Sequence, residues 1–379
     1  MGVASQRRLM VGGVPVGGGA PEAVQSMTCT RTGDADATLR QVRALVAAGC
    51  EIVRVSLPTA DEAPAFARVV REAPALAGPG SAEGEGPQVP IIADIHFDWR
   101  LALAAVAAGA AGVRINPGTM AEKHVREIVQ AAADARVPAA PGEPEAPVAI
   151  RIGVNAGSLP RDLRERAVAD APGALVDAAL RWAERFEEWE FTAYKLSVKS
   201  SSVRDTIAAY RLLAGRTDAP LHVGVTEAGT VWSGSIKSAV GIGALLADGV
   251  GDTIRVSLTG DPVEEIRVAW QILAALGLRR RGPEVISCPT CGRTEVDIVN
   301  LAEEVERRLG SDPALAGRAI SVAVMGCRVN GPEEARHADY GIAAGAGEGV
   351  LFDHGERVAT LPERQLLDAL LDLVRGSAD

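Results

Sequence analysis

Between residues 24 and 258 the chain repeats one unit eight times: a short Val- and Ile-containing run ending in polar residues, then an Ala- and Leu-rich stretch long enough for a helix. The runs are VQSMTC (24–29), EIVRVS (51–56), PIIADIH (90–96), GVRINP (112–117), VAIRIGVN (148–155), TAYKLSVK (192–199), LHVGVTE (221–227) and DTIRVSL (252–258). Eight strands alternating with crossover helices is the number that closes a (β/α)8 TIM barrel. No glycine-rich dinucleotide fingerprint follows the first run to favour a doubly wound sheet.

The repeat stops at RRRGPEV (279–285), in a chain of 379 residues that is too long for one core. The expected fold is therefore α/β: a TIM barrel over 1–278, then a small α/β domain over 279–379 with a helix at 297–309, a strand at 319–326 and a terminal helix at PERQLLDALLDLV. The Pro/Gly/Glu-rich stretches 77–88 and 138–147 read as surface insertions on the helix-to-strand side. The glycines of VGGVPVGGGAP (11–21) match no phosphate-loop spacing and read as turns.

A net charge of -10 and a pI near 5.2 exclude the broad basic surface that nucleic acid or an acidic membrane would need. No run of eighteen apolar residues and no signal-like start appears, so the expected location is cytoplasmic.

Side chains two apart on a strand share a face. Arg54 and Ser56, Asp94 and His96, Arg114 and Asn116, Arg151 and Asn155, Lys195, Ser197 and Lys199, and Arg255 and Ser257 each form such a set near a strand's carboxyl end. A barrel interior is normally Val, Ile and Leu, so basic groups converging at one mouth require an anion among them, a phosphate or diphosphate. Asp94, His96 and Glu227 remain as candidate proton-transfer groups. The alternative is that each cation pairs with a nearby carboxylate at the rim.

Five cysteines in a chain this long suit metal ligands, a reactive thiol or buried fillers better than a disulfide framework. Cys288 and Cys291 form a C-x-x-C pair, and Cys327 follows a predicted strand. This spacing fits a zinc site completed by His337 or His354, a redox dithiol, or an iron–sulfur cluster with a fourth ligand that is not cysteine. Cys29 and Cys50 stand apart and read as buried fillers.

Taken together, VQSMTCTRTGD (24–34), IIADIHFDWRLAL (91–103), IRIGVNAGSL (150–159), KLSVKSS (195–201), TEAG (226–229), DPVEEI (261–266), ISCPTCGRTEVD (286–297) and MGCRVNGPEEA (325–335) resemble the bacterial 4-hydroxy-3-methylbut-2-enyl diphosphate synthases of the methylerythritol phosphate route to isoprenoids. The resemblance runs nearly end to end. It implies a TIM barrel followed by a domain carrying a [4Fe–4S] cluster on three cysteines and one glutamate, here Cys288, Cys291, Cys327 and Glu334. It implies reductive ring opening and dehydroxylation of 2-C-methyl-D-erythritol 2,4-cyclodiphosphate, with flavodoxin or ferredoxin as electron donor. It also implies a homodimer in which one subunit's cluster domain caps the other's barrel. By the same resemblance Arg54, Arg114, Arg151, Lys199, Arg255 and Ser257 grip the diphosphate, Asn116 and Asn155 assist, Asp94 and His96 line the site, and Glu227 is the candidate acid. Two positions depart from the family pattern: Glu333 stands where Gly is usual, and Cys29 where Asn is common. If the family glycine needs positive φ, Glu333 would strain the ligand turn or replace Glu334.

Overall fold

The structure, a computed structural model, describes residues 5–73, 89–138, 144–155, 157, 159–312, 314–327 and 330–376. The stretch 77–88 and the middle of 138–147 thus lie outside the described residues. The chain divides into two compact units, Met1–Arg279 and Arg280–Asp379.

The first unit begins with an antiparallel hairpin, β1 (Arg8–Val11) and β2 (Val14–Gly17). Its two-residue Gly12-Gly13 turn uses a positive φ of 54° at Gly12, as short hairpins require. The glycines do make turns, but the strands flanking them were not expected. Eight parallel strands follow: β3 (Ala23–Met27), β4 (Ile52–Ser56), β5 (Ile91–Asp94), β6 (Gly112–Ile115), β7 (Ala149–Asn155), β8 (Tyr194–Lys199), β9 (His222–Val223) and β10 (Thr253–Ile254). Their order is β8-β7-β6-β5-β4-β3-β10-β9, and a Leu196–Leu221 bridge joins β8 to β9, closing the ring. The TIM barrel read from the repeat is the observed fold.

The connections carry α1 (Ala35–Ala47), α2 (Ala63–Glu72), α3 (Trp99–Ala107), α4 (Glu122–Asp134), α5 (Arg161–Ala167), α6 (Ala171–Glu188), α7 (Val203–Ala214), α8 (Val231–Ala247) and α9 (Pro262–Ala275). Asp34, Asp98, Asp170, Ser202 and Asp261 cap α1, α3, α6, α7 and α9 by accepting from backbone N–H groups, which fixes where these helices start.

Outward strand residues pack on the helices, in a core that includes Val53, Val55, Val113, Ile150, Leu196 and Val223. Inward residues are different. The register sets Asp94 beside Arg114, Arg114 beside Arg151, Arg151 beside Lys195, Asn155 beside Lys199, and His222 beside Thr253. A layer usually filled by branched aliphatic residues is here largely ionic. Below it, Leu9, Val11 and Val16 of the hairpin pack against Ala23, Ile52, Ile92, Ala111 and Ala149 and seal the amino-terminal end of the barrel.

The second unit holds β11 (Glu284–Ser287), α10 (Ile298–Ser311), β12 (Ser321–Met325), α11 (Gly331–Ala335), β13 (Tyr340–Gly345), β14 (Glu348–Asp353), β15 (Glu356–Pro362) and α12 (Glu363–Gly376). β11, β12 and β13 are parallel and β14 and β15 antiparallel, in sequential order. Val305, Leu309, Val322, Val324, Ile342, Leu366 and Leu370 form its core. Among the described residues, no helix is long and apolar enough to cross a membrane.

Val11 is fully buried in the cluster that seals the barrel. Val11→Ala is expected to lower stability by about 2 kcal/mol, read as a lower urea midpoint at unchanged slope; an unchanged midpoint would contradict the sealing role.

Candidate active site at the barrel mouth and the cysteine edge

Asp94, at the end of β5, sits between two arginines. Its Oδ1 lies 3.9 Å from Arg54 Nη1 and 3.6 Å from Arg114 Nη1. Its Oδ2 is 3.1 Å from His96 Nε2, and His96 Nδ1 is 3.4 Å from Arg114 Nη1. Burial alone would raise the Asp94 carboxyl, but Arg54, the His96 hydrogen bond and Arg114 together hold it far below the ordinary carboxylate range. It is therefore anionic at neutral pH and orders the two guanidinium groups. His96 is half exposed, at 54% of its side chain, and so faces the open end.

Other cations are less well matched. Arg255, which follows β10, approaches the Glu265 carboxylate of α9 with Nε and Nη2, each at 3.4 Å; the same carboxylate accepts from Ser26 Oγ at 2.7 Å and Leu258 N at 3.1 Å. Arg151 is 3% exposed, and its Nε and Nη1 have no hydrogen-bond partner among the described residues. Lys199 Nζ is 3.3 Å from His222 Nε2. Among the described residues, Arg54, Arg114, Arg151, Lys195, Lys199 and Arg255 thus face only Asp94, Asp252 and Glu265 as carboxylates inside the barrel. Burial first, and then Arg151, push Lys195 down to about 7 and Lys199 well below the ordinary amine range. Burial pushes Arg54 down to about 10 and Arg151 well below its usual value, with neighbouring arginines adding to it. Guanidinium groups keep their protons, so the lysines are where positive charge is shed.

Two glycines make room for this crowding. A Cβ on Gly153 of β7 would lie 2.7 Å from Arg114 Nε, and one on Gly224 would lie 2.4 Å from Arg255 O and 2.8 Å from Lys199 Nζ. Asn116 Oδ1 accepts from Gly118 N at 3.2 Å, so it also holds the turn after β6. With its amide oxygen turned to Arg114, Asn155 accepts from Nη2 at 3.3 Å. Ser257 is half-buried beyond β10, and Glu227 is exposed beyond β9 at φ 54°, a left-handed conformation rare for Glu. Sequence reasoning missed Gln25, His222, Thr253 and Glu265. Gln25 is buried with neither amide atom partnered among the described residues, and it alternates with Met27, whose Sδ meets Arg54 Nε at 3.2 Å. Glu265 lies in DPVEEI, where its role was not apparent.

In the second unit, Cys288 directly follows β11 and Cys327 follows β12, its parallel neighbour. Cys288 Sγ accepts from Gly326 N at 3.3 Å, bringing the two strand ends together. Cys291 is exposed, and hydrogen bonds from Arg293, backbone first, lower its thiol. Glu334 is exposed on α11, whose Ala335 packs in one apolar cluster with Met325, Ala343 and, at its edge, Cys288. Among the described residues, no three His, Cys, Asp or Glu side chains already converge on one point; residues 328 and 329, beside Cys327, lie outside them. His354 sits at the β14–β15 turn, hydrogen-bonded to Asp353 and edge-on to Tyr340, in no cluster with the cysteines. Glu333 does not strain its turn: it lies within helical α11, without positive φ, and its carboxylate faces Arg336 at 3.8 Å. Cys50 is buried and burial pushes its thiol up to about 12. Cys29 is not the buried filler expected; it is exposed, with Sγ accepting from Gln41 Nε2 at 3.1 Å.

Two outcomes follow from the crowded barrel. Gly153→Ala should displace Arg114 with little change in folding stability and weaken inorganic diphosphate binding roughly tenfold or more, the loss of a charge-assisted contact; calorimetry reads this, and unchanged affinity would contradict it. Because Lys195 titrates near 7 folded and higher when unfolded, the unfolded chain binds more protons from there up to the ordinary amine value. Ligand-free stability should therefore rise between about pH 7 and pH 9, checked by urea unfolding; a fall would contradict it.

The barrel matches the family described as GcpE TIM-barrel domain over residues 6–270, and the second unit matches the GcpE protein C-terminal domain over 284–376. A Geobacter sulfurreducens protein named 4-hydroxy-3-methylbut-2-en-1-yl diphosphate synthase (flavodoxin) is 51% identical over 97% of this chain and 96% of its own. Proteins of the same name from Salinispora arenicola and Aquifex aeolicus are 48% and 46% identical, over 99% and 98% of this chain and 89% and 96% of theirs. Among solved structures, Yersinia pestis dihydropteroate synthase aligns at 13% identity and TM-score 0.45 over 72% of this chain and 100% of its own. With both units matched and identity near one half along almost its whole length, the chain belongs to the GcpE family.

Proposed function

We infer that this chain converts 2-C-methyl-D-erythritol 2,4-cyclodiphosphate into 4-hydroxy-3-methylbut-2-enyl diphosphate, using electrons from reduced flavodoxin. The observation that carries this reading is the surplus of buried cations, with two Arg151 nitrogens lacking partners among the described residues. Such a cluster of buried cations is costly to desolvate unpaired and favourable around a diphosphate. Names borne by relatives 46–51% identical supply the chemical context, a diphosphate synthase served by flavodoxin.

Arg54, Arg114, Arg151, Lys199, Arg255 and Ser257 hold the diphosphate, with Asn116 and Asn155 steadying the rim. Asp94 and His96 keep Arg54 and Arg114 oriented, as their contacts support. Glu227 is the proton donor to the departing hydroxyl, at an exposed and strained position from which a carboxyl can swing. The domain assignment follows: barrel (1–278) for substrate, second domain (279–379) for the redox group.

Cys288, Cys291, Cys327 and Glu334 would hold a [4Fe–4S] cluster, which would supply the single electrons that no side chain can. The thiols suit it: they are soft donors, with Cys288 and Cys327 following adjacent strands, Cys288 Sγ accepting an amide N–H and the Cys291 thiol lowered by hydrogen bonds from Arg293. Glu334 would be a harder and more exchangeable fourth ligand than a thiolate. The active species is a cytoplasmic homodimer, each subunit's cluster domain serving its partner's barrel.

Anaerobic purification should yield a brown, iron-loaded protein that turns over the cyclodiphosphate with dithionite or reduced flavodoxin; a colourless, zinc-loaded protein would overturn this reading. Glu334→Ala should reduce turnover by about ten- to a hundredfold, the usual order for losing the support of a metal site, whereas Glu333→Gly should change iron content and turnover less than about twofold because Glu333 faces solvent beside Arg336. Loss of activity only in Glu333→Gly would reassign the ligand.

A further inference from the structure

Beneath the arginines lies a chain of polar side chains to which the diphosphate reading gives no task beyond the contact of Lys199. Lys199 Nζ is 3.3 Å from His222 Nε2, His222 Nδ1 is 2.8 Å from Thr253 Oγ1, and Lys195 Nζ donates to the same hydroxyl over 3.5 Å. The barrel register builds it, because Lys195 and Lys199 alternate on β8 while His222 and Thr253 are cross-strand partners on β9 and β10. Lys195, His222 and Thr253 are 2%, 0% and 0% exposed.

An ammonium only donates, so a charged Lys199 requires a neutral His222 accepting at Nε2 and donating from Nδ1 to Thr253. Thr253 Oγ1 can accept from His222 and Lys195 together, which makes the three basic groups one hydrogen-bonded unit. We propose that Lys199, His222, Thr253 and Lys195 form a proton-holding chain that takes up a proton as the substrate's diphosphate gains charge. His222 and Thr253 are positioning residues in it. The inference rests on the diphosphate reading above and gives that site a means of matching charge.

The chemistry supplies the demand. In the cyclic substrate both phosphoryl groups are esterified. Ring opening breaks the C–O bond to one phosphoryl group and loss of the hydroxyl breaks a second C–O bond on the neighbouring carbon, with a C=C bond formed between the two carbons; two electrons from reduced flavodoxin and one proton enter, and the hydroxyl leaves as water. The freed phosphoryl oxygen leaves the diphosphate with one more negative charge. A separate proton, drawn from solvent onto the chain, offsets that charge and returns to solvent on product release.

The surroundings keep the chain short of protons until then. Arg151 of β7, Arg54 of β4, Arg114 of β6 and Arg255 after β10 all add positive potential at one or both of Lys199 and His222. Asp252 below favours charge on Lys195, while its carboxylate is held by Ser5 Oγ and Leu221 N. Tyr210 of α7 donates to His222 O at 2.5 Å and fixes the strand. Burial, and after it Arg151, lower all three basic groups, Lys195 to about 7. One further anionic charge several ångströms away, at an effective dielectric near 20, raises a neighbouring group's proton affinity roughly tenfold or more. That is enough to shift a group poised near neutrality.

Calorimetry on the oxidised, iron-loaded enzyme without reductant tests this, because binding then occurs without turnover. Titrations at pH 8 with the cyclodiphosphate and with the product, in buffers of different ionisation enthalpy, count protons taken up. The product should draw more protons than the substrate. Thr253→Val, which keeps the shape and removes the hydroxyl, should abolish that difference while changing affinity less than about fivefold, and Thr253→Ser should restore it; His222→Asn should behave as Thr253→Val. Equal uptake for both ligands in the wild type, or an undiminished difference in Thr253→Val and His222→Asn, would overturn the chain. Failure of both ligands to bind would instead overturn the diphosphate reading.

Discussion

The barrel is organised around an electrostatic mismatch: more buried cations than carboxylates to balance them. Desolvating an ion costs several kcal/mol even after relaxation, and the fold meets that cost only in part. Asp94 and Glu265 each serve more than one partner, Gly153 and Gly224 clear space for guanidinium and ammonium groups, and the lysines give up charge. Ordinary apolar packing survives on the outward faces and in the hairpin seal at the amino-terminal end. Stability is therefore located around the site, and the site itself is a place where stability is spent on recognition.

Most of this frame was legible in the sequence because parallel barrel strands have a double signature, an apolar run for the helix-facing side and a recurring polar residue at the carboxyl end. Arg54, Arg114, Arg151, Lys195, Lys199 and Arg255 could be set on one face by counting in twos. Their pairing could not. Glu265 reaches Arg255 from a helix rather than a strand, so strand alternation carries no trace of it, and His222 and Thr253 lie on strands of only two residues each. Gln25 was overlooked because an uncharged amide in a strand looks like an exposed position until its burial is known.

The second unit was read less completely. Helices α10 and α12 have strong 3.6-residue periodicity and were expected, whereas β13 and β14 run through YGIAAGAGEGV, where Gly and Ala carry almost no strand preference. The tight packing explains that composition: a side chain on Gly349 would press within 2.5 Å of Leu366, and one on Gly341 within 3.0 Å of Ala335 O on α11. The concern over Glu333 dissolves for a local reason. A short helix beginning after Asn330 accepts acidic residues in its first turn, so no left-handed backbone is demanded there.

The central claim is that the barrel's cations are a surplus which a diphosphate resolves, and ligand-linked stability tests it most directly. Urea unfolding should be followed with increasing inorganic diphosphate, against chloride at equal ionic strength. The account predicts that stability climbs by about 1.4 kcal/mol for each tenfold rise above the dissociation constant, with chloride giving far less. Stability that is indifferent to diphosphate, or that responds equally to chloride, would contradict it.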